Sequence, residues 1–102
     1  MQAKPGGRVE RTTIQASSVP RLAPHVRFRY DEKRERWVLL APERLLLPDE
    51  IAVEVLKCCD GERTVSAITD ELSRRFDAPR EVIGTDVTRL LQDLADKRVL
   101  DA

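Results

Sequence analysis

An α+β fold of the winged helix-turn-helix-like kind, a three-stranded antiparallel sheet followed by three α-helices, is predicted by three features of this sequence. Between Val26 and Leu47, apolar side chains come in short runs separated by charged or proline-bearing turns, as in strands with one buried face. Between Asp49 and Lys97 they recur every three or four residues, as in amphipathic helices. Asp49, Thr64 and Pro79 stand where helices would open, and Asp60-Gly61 where one would close. A length of 102 residues leaves room for one hydrophobic core, and 41% hydrophobic against 35% charged residues suffices for a modest one.

From Met1 to Arg21 the chain is polar, with Lys4-Pro5-Gly6-Gly7, Ser17-Ser18 and Pro20. It repeats no apolar face that would offset the cost of ordering the backbone. Residues 1–21 are therefore expected to be a disordered tail or linker, and 22–102 the folded domain. Val26, Phe28 and Tyr30 alternate with Arg27 and Arg29, which makes a first strand with one buried face. Asp31 to Glu35 is a charged stretch of hairpin-loop length, and Trp37-Val38-Leu39-Leu40 follows as the second strand. Trp37 is expected to anchor the core under the helices rather than offer a binding platform. Pro42 interrupts, and Arg44 to Leu47 forms a third strand that Pro48 ends, because proline lacks the ladder donor.

Asp49 can cap the first helix by accepting from its free amides, and Glu50 suits the positive end of the helix dipole. The apolar stripe of this helix is Ala52, Val55, Leu56 and Cys59. Gly61 ends it, since glycine readily takes the left-handed conformation. Thr64 caps the second helix, whose stripe is Val65, Ile68, Leu72 and Phe76. After the turn Asp77-Ala78-Pro79, the third helix runs to about Lys97 with Ile83, Val87, Leu90, Leu91 and Leu94 inward. Gly84 weakens its opening by about 1 kcal/mol relative to alanine, so its expected start falls between Pro79 and Thr85.

Charge and composition exclude several function classes. Lysine plus arginine equals aspartate plus glutamate at 18 each, so there is no overall attraction to nucleic acid or an anionic membrane. Residues 1–30 hold six of the basic side chains against Glu10 alone, which leaves 12 basic and 17 acidic in the remainder. Apolar runs reach only four or five residues, far below the roughly 20 that span a bilayer. The N-terminus shows no secretory apolar stretch, and a cytoplasmic protein is expected. Catalysis lacks its usual groups: the one histidine is His25, beside the tail, and Cys58 and Cys59 are adjacent, a spacing that closes no zinc site. The two cysteines read as core residues. No glycine loop is present to cradle a phosphate, and no cofactor is expected. The helix-turn-helix pattern keeps a winged-helix nucleic-acid binder as the alternative function. Against it, Arg80, Arg89, Lys97 and Arg98 on the third helix are matched by Glu81, Asp86, Asp93 and Asp96, so attraction to phosphates meets equal repulsion.

Leu39-Leu40-Ala41-Pro42-Glu43-Arg44, then Cys59-Asp60-Gly61, Thr64-Val65, and Asp86-Val87 before Leu90-Leu91 and Leu94, occur in an order and spacing that resembles the PqqD family of pyrroloquinoline quinone biosynthesis. The resemblance covers about Pro20 to Ala102. It departs at Pro48-Asp49, where relatives tend to have Leu-Asn, and a capping side chain is kept. What it implies is a non-catalytic peptide chaperone of the recognition-element type, binding the ribosomally made precursor peptide PqqA and presenting it to the radical-SAM enzyme PqqE. Some family members are fused to the cyclase PqqC, which would make residues 1–21 a former inter-domain linker. Peptide contacts are then expected along the open edge of the third strand, at Arg44, Leu45, Leu46 and Leu47. Across the groove, by analogy with recognition elements, stand Asp86, Arg89, Leu90 and Asp93 of the third helix, with Leu90 also a core candidate.

Overall fold

The charged turn after Tyr30 is built around one side chain. The Asp31 carboxylate accepts from the amides of Lys33 at 2.9 Å and Arg34 at 3.1 Å, and from the Arg34 guanidinium at 2.7 Å. Glu35 completes the reversal in a left-handed conformation, φ 56°. In the computed structural model, which describes residues 12–102, this turn joins β2 (Arg27–Asp31) to β3 (Arg36–Ala41), with Tyr30 opposite Trp37 and Phe28 opposite Leu39. Pro42 and Glu43 then turn the chain into β4 (Arg44–Leu46), which pairs Leu40 with Leu45 and Leu39 with Leu46. The strand order is β2-β3-β4, all antiparallel, so β4 is an edge.

The helices are α1 (Glu50–Lys57), α2 (Val65–Phe76) and α3 (Arg80–Asp96). Asp49 and Thr64 cap α1 and α2 by accepting from the amides of Ala52 and Ala67, satisfying donors that a helix start leaves free. Gly61 has φ 79°, the left-handed value that glycine takes without strain. Leu39 of the sheet, Val55 and Leu56 of α1, Ile68 and Leu72 of α2, and Val87 and Leu91 of α3 meet in one core. Both cysteines lie in it. The expected α+β class, a small antiparallel sheet with three helices, is the class observed.

Several expectations are revised. Trp37 is only half-buried and lies outside the core cluster. It stacks on Phe28 with centroids 4.7 Å apart and meets the edge of Tyr30 at 5.9 Å. Cross-strand register explains this: pairing Tyr30 with Trp37 lets the aromatic rings cover one another near the hairpin end. Phe76, assigned to the inward stripe of α2, is 37% exposed at the last position of that helix. The third helix starts at Arg80, with Gly84 inside it. A side chain there would approach Thr69 Cγ2 at 3.5 Å, so the glycine sits where α2 and α3 run close.

The two flanks of the described domain are joined by elements with no periodic signature. Two two-residue strands, β1 (Arg21–Leu22) and β5 (Leu100–Asp101), pair antiparallel. Residues 1–11, half of the expected tail, lie outside the described residues. Residues 12–21 are in contact with the helices: Ile14 is buried at 5% exposure, and its amide donates to Gln92 Oε1 at 2.9 Å. The amides of Val65 and Ser66 donate to the carbonyls of Ser18 and Ala16 at 2.8 and 3.0 Å. Polar composition argues against a helix or strand in this stretch, but irregular backbone can still order itself by filling donors that α2 leaves open.

Candidate functional site

The two-residue turn Pro42-Glu43 sets which backbone groups of β4 are free. Its closing pair is Ala41 and Arg44, and across such a turn the closing residues exchange both hydrogen bonds. Alternation then makes Leu40 and Leu45 a non-hydrogen-bonded pair, with the N–H and C=O of Leu45 directed to the open side. Leu46, opposite the buried Leu39, is tied to β3 again. The open side of β4 thus offers the N–H and C=O of Leu45 and, one period on and just past the end of β4, the N–H of Leu47, whose C=O accepts from Arg36. Both side chains are exposed, at 40% and 47%.

Beside this edge lies a groove of about 170 Å³ between β4 and α3. Leu46, Leu47 and Pro48 form its strand wall, Leu90, Asp93, Leu94 and Lys97 its helix wall, and Leu39, Ala52 and Leu56 its floor. The lining is predominantly aliphatic, with an ion pair at 2.7 Å between Lys97 Nζ and Asp93. An apolar trough beside unpaired strand groups can take an extended peptide, with backbone bonds to β4 and alternate side chains set inward.

Four of the sequence-derived contact residues line this groove: Leu46, Leu47, Leu90 and Asp93. Leu45 and Arg44 lie on β4 beside it, exposed. Leu90 is half-buried and packed against the core, so it serves both core and groove. Asp86 is exposed on α3; helical spacing puts it one turn before Leu90 on the same stripe. Arg89 lines a larger hollow of about 820 Å³ with Gly84, Thr85 and Gln92, and Asp93 borders both hollows. Sequence reasoning missed Leu94, Lys97, Ala52 and Leu56. The stripe Leu90, Leu94, Lys97 continues at helical spacing and carried the signal, but nothing in the sequence showed where the groove ends.

Burial pushes the Cys59 thiol up to about 12 and raises that of Cys58 as well, and Cys59 Sγ donates to the Val55 carbonyl at 3.3 Å, so both thiols stay protonated and inert at neutral pH. Among the described residues, no three histidine, cysteine, aspartate or glutamate side chains gather to hold a metal ion, and no helix is long and apolar enough to cross a membrane.

Known proteins share both the sequence and the fold. The family model for coenzyme PQQ synthesis protein D, PqqD, matches residues 36–100. A PqqA binding protein of Rhodopseudomonas palustris is 57% identical over 88 residues, covering 86% of each chain. The bifunctional coenzyme PQQ synthesis protein C/D of Methylorubrum extorquens is 48% identical over 92 residues, 90% of this chain and 25% of that protein. The solution NMR structure of the PqqD truncation of Methylobacterium extorquens PqqCD, a functional, stand-alone recognition element for ribosomally synthesized and post-translationally modified peptides, superposes with a TM-score of 0.79. It is 47% identical and covers 92% of this chain and all of that one.

Proposed function

The chain belongs to the PqqD family, and from that premise we propose that it binds the precursor peptide PqqA and presents it to the radical-SAM enzyme PqqE, without itself catalysing a reaction. The observation that carries the reading is the juxtaposition of the open edge of β4 with the aliphatic groove against α3. The peptide adds as a strand beside β4, taking affinity from main-chain bonds to both groups of Leu45 and to the Leu47 amide. It sets apolar side chains between Leu46 and the Leu90–Leu94 stripe. Arg44 and Asp93 flank this path; Asp86 and Arg89 are peripheral to it. The relatives named as PqqA binding proteins support the choice of peptide. The C/D relative, in which a PqqD-like part is joined to a second activity, supports association with PqqC. The absence of paired nucleophile and base in the groove supports a carrier rather than an enzyme.

Calorimetric titration with PqqA tests this reading. Leu45→Pro removes a donor from the open side and is expected to weaken binding about tenfold or more, combining a lost hydrogen bond with a steric penalty. Leu46→Pro removes a donor from the β3 ladder instead, so its first effect is on folding. Saturable binding lost in a folded Leu45→Pro variant supports strand addition; parent-like binding in that variant overturns it.

A further inference from the structure

A second surface on the molecule, beside the peptide groove, has the makings of a docking site. Three of the four aromatic side chains, Phe28, Tyr30 and Trp37, gather on the β2–β3 hairpin as a stacked and edge-on cluster. Tyr30 is 46% exposed. Beside them opens a hollow of about 550 Å³ bounded by the hairpin and the start of α1. Its charges are unevenly committed. Arg34 is paired with Asp31, Arg36 donates to the carbonyls of Leu47 and Pro48 at 3.2 Å, and Lys57 is shared between Glu54 and the face of Trp37, 5.2 Å from the ring centroid. Glu54 is also held by Arg75 at 2.5 Å, and Asp49 caps α1. Glu35 and Glu50 also line the hollow and are exposed. Neither has an ion-pair partner among the described residues.

We propose that the hollow beside Trp37 is a docking surface for an arginine-bearing segment of a partner polypeptide. The lining carries three cations, Arg34, Arg36 and Lys57, against four carboxylates, Glu35, Asp49, Glu50 and Glu54, so the charge it complements is positive. Aromatic faces favour a guanidinium over an ammonium, because the planar group both stacks and donates in a fork. Phe28 stacks on Trp37 and Lys57 lies over its ring, so Tyr30, 46% exposed, is the aromatic face left to an incoming guanidinium. Protein interfaces concentrate their binding energy in Trp, Tyr and Arg. The surface also adjoins the peptide groove: Pro48 lines both, and Arg36 grips the main chain at Leu47 and Pro48. A partner seated here would therefore lie next to the end of the edge strand without covering it.

The chain has one tryptophan, so Trp37 fluorescence and its indole N–H resonance report on this hollow alone. The full-length protein is titrated at low salt with an acetylated, amidated tetra-arginine peptide, with tetra-lysine and tetra-glutamate peptides as controls. A saturable change at Trp37 with tetra-arginine is expected, weaker with tetra-lysine and absent with tetra-glutamate. The isosteric pair Glu35→Gln and Glu50→Gln, both exposed and checked by circular dichroism, should weaken that binding about fivefold, and Tyr30→Leu, which keeps the fluorophore, should weaken it independently. A Trp37 signal that tetra-arginine leaves unmoved, that tetra-glutamate moves equally, or that titrates in the double variant as in the parent overturns the proposal.

Discussion

Single side chains fix the turns of this molecule, and two of them do so as carboxylates. The amide and then the guanidinium of Arg34 hold the Asp31 carboxyl below its ordinary value. The amides of Glu62 and Arg63 do the same for Asp60, at 2.9 and 3.1 Å. A carboxyl whose pKa is depressed by folding stabilises the native state above its unfolded pKa, and the contribution is lost as pH falls through the folded value. Melting temperature should therefore drop on acidification below about pH 4. Asp31→Asn should start lower at neutral pH and show a shallower acid limb. Thermal melts of both proteins from neutral pH to strong acid check this; parallel curves would remove Asp31 from the account. The cysteines offer the opposite case, because their pKa values are raised and the thiols stay buried. Sequence alone placed them in the core correctly, since Cys59 falls on the stripe of Ala52, Val55 and Leu56. Trp37 shows where such reasoning ends: a large aromatic on a strand suits either a core or a surface cluster, and only the register with Phe28 and Tyr30 decides.

At the scale of elements, caps and periodicity were legible and close approaches were not. Asp49 and Thr64 open α1 and α2 as their side chains require. Gly84 was read as a weak helix start because propensity is a local quantity, whereas its surroundings are set by the neighbouring helix. Alanine at Gly84 would bring a methyl to ordinary contact distance from Thr69, so Gly84→Ala should stabilise the protein by about 0.5–1 kcal/mol. Alanine at Gly61, where φ is 79°, should destabilise it by about 1 kcal/mol. Urea denaturation of the two variants measures both, and opposite signs are the expected result. The edge strand was likewise legible as a strand and an edge, since Pro42 and Pro48 bracket it. Its outward residue followed only from the observed pairing of Ala41 with Arg44.

For the molecule as a whole, the unexpected feature is closure. Residues 12–22 run against α2 and α3 and finish in β1, paired with β5, so the segment that enters the domain closes on its last strand. The stretch buries Ile14 and Pro20, six residues apart, a spacing with no period to detect. Truncating it tests the arrangement: Ile14→Ala should cost about 2–4 kcal/mol by urea denaturation, whereas an unpacked tail would give no measurable change. The same architecture leaves β4 uncovered on one side and sets α3 across from it, which is the basis of the proposed function. Amide hydrogen exchange on the protein saturated with PqqA tests that claim most directly. Strand addition predicts that the Leu45 and Leu47 amides, open in the free protein, become protected, while the Leu46 amide, already bonded to β3, changes little. Saturable PqqA binding with no added protection at Leu45 would contradict it.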